Sequence, residues 1–163
     1  MEMSQTLQTS AGPAAPARSW RMPALIGAAV AVVAAAIAWY GAYGDPHHQV
    51  KSQTAAVPFL VIVDVVVAAL IFGLLVPRAL RSGSVPWGLV TSIVALVGVV
   101  AFWSGVPFVV GAAGALIGAQ GRKRARDTGA RAGGHTAALV IGVVAMALCL
   151  VMVVLGNTVL TSN

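Results

Sequence analysis

The sequence predicts an all-α integral membrane protein, a bundle of five spans with its N-terminus in the cytoplasm and its C-terminus outside. Four apolar stretches, Pro23–Ala42, Val57–Val76, Pro86–Ala119 and Thr136–Leu155, run through 163 residues. Each is long enough to cross a bilayer, for which about 20 residues suffice. The chain is 59% hydrophobic and 9% charged, with a mean hydropathy of +0.92, whereas a soluble domain carries about 25% charged residues. The third observation is where the cations fall, and it sets the number of spans.

As one helix, Pro86–Ala119 would make a rod of roughly 50 Å against a hydrocarbon core of about 30 Å. If it crossed once, Lys51 would share a side with Arg122, Lys123, Arg124, Arg126 and Arg131, leaving Arg18, Arg21, Arg78 and Arg81 opposite. If it folds back as a hairpin, every one of these cations except Lys51 lies on one side. Such an asymmetry is what the positive-inside rule demands. The break falls at Ser104-Gly105-Val106-Pro107, where a flexible residue precedes one that cannot continue a helix.

Taken in order, residues 1–20 are rich in Ser, Thr, Gln, Ala and Pro and are expected to be a disordered cytoplasmic tail. The bundle is expected over residues 21–157. Span one covers about 23–42; Trp39 and Tyr40 near its end suit the membrane interface. Arg18 and Arg21, the apolar run and Ala36-Ile37-Ala38 also fit a secretory signal with a cleavage site, but the run continues to Ala42. A retained helix is the expectation. Asp45, His47 and His48 on the following outer loop could bind zinc or copper. A solvated polar turn is the expected role, and no resident metal or cofactor is expected.

Span two, about 57–76, holds Asp64 roughly 10 Å below its outer end. A carboxyl in hydrocarbon costs a few kcal/mol, so it must face protein or water, or be protonated. The expected role is structural, as a neutral acid hydrogen-bonded to a neighbouring helix or to the turn between spans three and four. Ser104, the Gly105 backbone and Cys149 lie at the right depth to partner it. The alternative is a proton- or cation-binding site in a transport pathway. Spans three and four are expected at about 87–103 and 107–120, the latter short enough to be tilted or partly re-entrant. Gly111, Gly114, Ala115, Gly118 and Gly121 form a small-residue stripe on span four, including a G-x-x-x-G. Such a stripe lets helix backbones approach closely. Packing within the bundle is the expectation, and dimerisation the alternative.

A basic loop is expected over 122–134, where Arg122, Lys123, Arg124, Arg126 and Arg131 set topology and meet anionic headgroups. No aromatics interleave these cations, which argues against nucleic acid. His135 is expected at the interface. Span five covers about 136–156, before a short external tail at 158–163. The sole cysteine, Cys149, excludes an intramolecular disulfide and multi-cysteine metal sites. There is no G-x-S-x-G, H-E-x-x-H, P-loop or glycine fingerprint.

Residues 88–154 carry Pro107-Phe108-Val109-Val110-Gly111, then Arg124-Ala125-Arg126-Asp127-Thr128-Gly129, then Gly133-Gly134-His135-Thr136-Ala137-Ala138. This order resembles a family of small actinobacterial membrane proteins of unknown function. In them a Gly/Pro-rich hairpin is followed by an Arg-rich turn and another span. The resemblance implies a multi-pass protein of a bacterial plasma membrane and assigns no reaction. The expected function is non-enzymatic: a scaffold or accessory subunit whose partners are the bilayer and another membrane protein or a second copy of itself. The alternative is a small oligomeric transporter or channel subunit using Asp64.

Overall fold

The computed structural model describes residues 21–43, 51–83 and 85–159. The expected N-terminal tail, residues 160–163 of the expected external tail at 158–163, and the loop residues Asp45, His47 and His48 lie outside them; residues 158 and 159 belong to the last helix. The described chain is helical throughout, apart from short turns. Helix α1 is Arg21–Tyr43 and α2 is Lys51–Leu70, continued by a π-helical turn, Ile71–Leu75, into α3, Val76–Ser82. Helix α4 is Val85–Gly98, ending in a 3-10 segment, Val99–Ser104; α5 is Val106–Asp127 and α6 is Gly133–Val159. Met22–Tyr40, Val57–Ser82 and Gly133–Gly156 are each long and apolar enough to cross a membrane, and Val85–Ala101 is a shorter apolar helix.

Two prolines shape these elements. Pro77 has no N–H to give to the preceding turn, and its ring would clash there. The chain widens just before it, so that the Val76 N–H reaches the Ile71 carbonyl, and the helix passes the proline instead of ending. The helix therefore outruns the expected end at Val76 and carries Arg78 and Arg81 on its last turns. Pro107 sits in the first turn of α5, where no N–H is needed. Gly105, ahead of it, adopts φ +72°, a left-handed conformation that side chains disfavour. This turn reverses the chain between α4 and α5.

Of the five basic residues expected on a loop, only Arg131 is on one. Helix α5 continues past the expected end at Gln120, placing Arg122, Lys123, Arg124 and Arg126 on its final turns. Arg, Lys, Gln and Ala are good helix formers, and cations near a helix C-terminus complement its dipole. Gly129, at φ +69°, ends the helix, with Gly129 N–H bonding to Arg126 O and Ala130 N–H to Ala125 O. At 22 residues the helix is about 33 Å long, but its last turns are charged and its apolar part still ends near Gln120. Helix α6 starts at Gly133, three residues before its expected start.

Neighbouring helices alternate in direction. Gly27 meets Phe72 and Ala34 approaches the Gly105 turn beside Asp64, so α1 and α2 are antiparallel. Gly88 lies against Ile117, Gly114 against Ser92, and Gly98 against Pro107, which makes α4 and α5 antiparallel. Gly121 against His135, Gly118 against Leu139 and Gly111 against Gly142 give the same sense for α5 and α6. Helix α5 is the centre. From Pro107 to Gly118 almost every residue is buried, and α1, α2, α4 and α6 surround it. Large apolar side chains point outward instead, among them Val32, Phe59, Ile62, Val97, Val100 and Val151. Small residues inside and large ones outside suit a surface solvated by lipid, where close backbone approach drives association.

Candidate functional site

Asp64 belongs to a buried stripe that runs along α2 into the π-turn, with Val57, Ala68 and Phe72 at spacings that return to one helix face. It is 0% exposed, and neither carboxyl oxygen has a hydrogen-bond partner. Its Oδ2 lies 2.6 Å from where a Cβ on Gly105 would stand, and the Ala34 carbonyl of α1 lies 2.9 Å from the same point. Cys149 of α6, wholly buried, is within electrostatic reach and contacts the Phe108 backbone. The structure thus brings Asp64, the Gly105 turn and Cys149 together at one end of the bundle. It does not make the expected hydrogen bond: the carboxyl abuts the turn without a donor or acceptor in place. Nor does Ser104 partner Asp64, because its hydroxyl donates to Ala101 O at 2.8 Å within its own turn.

The small-residue stripe contacts α4 and α6. A Cβ on Gly118 would lie 2.5 Å from the Leu139 backbone nitrogen and 2.8 Å from His135 O. On Gly111 it would meet Gly142 O at 3.1 Å, and on Gly114 it would strike the Ser92 hydroxyl. Ala115 is half-buried, its backbone nitrogen 2.7 Å from a Cβ position on Gly142. Ser92 itself donates to Ala138 O at 2.7 Å, tying α4 to α6 through the gap that Gly114 leaves. This bond was not anticipated; the signal was a small hydroxyl in an otherwise apolar helix, level with a glycine of the next.

The other end of the bundle carries the described cations other than Lys51, which begins α2. Arg124 donates to Leu80 O, reaching a carbonyl in the last turn of α3. Arg122, Lys123 and Arg126 share a different face of α5 and line a groove of about 450 Å³ with Ala119, Asp127 and Leu139. Arg131 is exposed in the turn before α6. His135 is buried by its neighbours: it is 7% exposed, packed on Gly121, with Nδ1 unpartnered. The stripe of small residues extends past the apolar part of α5 to Gly121, and the ring fills the space this leaves. Asp64 and His135 sit at opposite ends of α5, beside Gly105 and Gly121, about 24 Å apart by helix rise. Among the described residues no His, Cys, Asp and Glu cluster could hold a metal ion.

No family model, curated protein or solved structure matches this chain.

Proposed function

We propose that this is a five-span plasma-membrane protein of bacterial type, N-terminus inside and C-terminus outside, acting by interaction as a scaffold or accessory subunit. The observation that carries this reading is the segregation of charge along alternating helices. Arg78, Arg81, Arg122, Lys123, Arg124, Arg126 and Arg131 gather at the end where α3 and α5 finish, where α1 also begins. The Gly105 turn and Asp64 lie at the other. With α4 and α5 as a transmembrane hairpin, all these cations face the cytoplasm, as the positive-inside rule favours. The non-enzymatic role is supported by the separation of Asp64 from His135 and by the sealing of Asp64 between α1, α2 and the α5 start. The resemblance to small actinobacterial membrane proteins points the same way.

Cysteine labelling tests the topology. In a Cys149→Ala background, Ala130→Cys should be protected from an impermeant thiol reagent in intact cells, and Ser52→Cys should react. Labelling of Ala130→Cys from outside would overturn the five-span reading.

The second reading, a transporter or channel subunit, is favoured by one observation: both Asp64 oxygens are unpartnered inside the bundle. Such a carboxyl is a candidate proton site. Cellular phenotype of Asp64→Asn, measured beside folded yield, separates the two. Loss of function in a well-folded variant would replace the scaffold with the transporter.

A further inference from the structure

The five cations of the Arg-rich segment do not share one role. Arg124 points to α3 and donates to the Leu80 carbonyl, where a cation also offsets the helix dipole. Ala119, Arg122, Lys123 and Arg126 recur at the spacing of a single helix face, and that face, with Asp127 and Leu139 of α6, lines the groove described above. Three cations and one acid leave a net charge of two positive. Arg122 is half-buried, while Lys123 and Arg126 reach outward. Ala119, a turn further into α5, and Leu139 of α6 form the apolar part of the lining.

We propose that this α5–α6 groove binds the headgroup of an anionic glycerophospholipid. The phosphate would sit among Arg122, Lys123 and Arg126, with the acyl chains following the apolar surface past Ala119 and Leu139. Arginine can bind phosphate through two parallel hydrogen bonds, and lysine adds a mobile point charge. Basic pockets between helices at the cytoplasmic boundary suit such lipids. The Asp127 carboxylate repels a second bare anion but accepts hydrogen bonds from headgroup hydroxyls. A soluble acidic partner would leave the apolar wall unmatched, whereas a lipid matches both halves of the groove. The proposal rests on the membrane-spanning reading, which places this end of α5 at the bilayer surface.

The test is thermal unfolding of the full chain in neutral detergent, with added phosphatidylglycerol, phosphatidylcholine or inorganic phosphate at equal concentration. Phosphatidylglycerol should raise Tm for the unmodified chain and for Arg124→Gln, whose starting Tm is lower. The gain should disappear in the triple variant Arg122→Gln/Lys123→Gln/Arg126→Gln and shrink in Arg126→Gln alone, a change at an exposed position that leaves the fold intact. Phosphatidylcholine should do nothing. An undiminished gain in the variants, an equal gain from phosphatidylcholine, or no gain in the unmodified chain would each overturn the proposal. An equal gain from inorganic phosphate would overturn the lipid assignment in favour of a free anion. Cysteine labelling in cells reports on the topology independently, so a failed lipid response with protected Ala130→Cys rejects the groove alone.

Discussion

Asp64 and Gly105 share a space that only one side chain fits. The carboxyl oxygen Oδ2 occupies a point 2.6 Å from where a Gly105 Cβ would be, and Gly105 has φ +72°. The turn between α4 and α5, the α1 backbone at Ala34 and the acid of α2 therefore depend on one another. Gly105→Ala should be strongly destabilising. A left-handed non-glycine residue alone costs on the order of 1–3 kcal/mol, and the contacts add to it. Thermal unfolding in detergent checks this; a Tm within error of the unmodified chain would show that the turn has another conformation available.

Asp64→Asn should be close to neutral in stability. The carboxyl has no partner to lose, the amide has the same shape, and the amide carries no ionisation penalty. Asp64→Leu should be worse than Asn because two methyl groups, bulkier than the planar carboxyl or amide atoms, must fit against the tightly packed Gly105 turn. Comparable folded yields for Leu and Asn would argue that the pocket is looser than the structure shows.

Gly118→Ala should cost far more than Gly73→Ala. The first places a methyl 2.5 Å from the Leu139 backbone, which cannot move without shifting α6, whereas nothing lies within 4 Å of a Cβ at Gly73. Helical Gly→Ala at an open position normally gains roughly 0.5–1 kcal/mol. Unfolding midpoints should thus move in opposite directions. Equal effects would mean that the Gly118 face does not pack on α6.

Ser92→Ala should destabilise by about 0.6 kcal/mol, the average for interhelical hydrogen bonds in a membrane protein. The hydroxyl also fills the space left by Gly114, so Ser92→Ala combined with Gly114→Ala should be less harmful than the sum of the two single changes. Strict additivity in a double-mutant cycle would show that the two positions are independent.

The helical class was legible because hydropathy and length speak directly to it: uninterrupted apolar runs leave the backbone no other way to satisfy its hydrogen bonds in lipid. The break at Gly105-Val106-Pro107 was legible from residue chemistry. Helix ends were less so. Pro77 reads as a stop, yet a π-turn carries the helix through it, and the charges from Arg122 to Asp127 read as a loop although their helix propensity is high. At the candidate site, composition placed Asp64 at the right depth beside Gly105 and Cys149. It could not show that the carboxyl lacks a partner, or that Ser104 bonds within its own turn, because those depend on side-chain direction in the assembled bundle. The partition of the cations between α3 and the α5–α6 groove follows from the helix continuing. A loop has no faces, so reading this segment as a loop concealed it.

The central place of α5 also bears on the order of assembly. On the five-span reading, α1 and α2 leave the ribosome first and enter the bilayer while the helix that will lie between them and the rest is still unmade. Until it arrives, Asp64 has no Gly105 turn against it and meets lipid or a transient companion. Exposure of an aspartate to hydrocarbon costs up to about 2.5–3.5 kcal/mol on insertion scales, the value at the helix centre. The early pair is thus marked as unfinished by one residue, and arrival of the fourth span removes the mark. Truncation before Val106 should therefore leave a species that quality-control proteases recognise, with Asp64→Leu prolonging its lifetime.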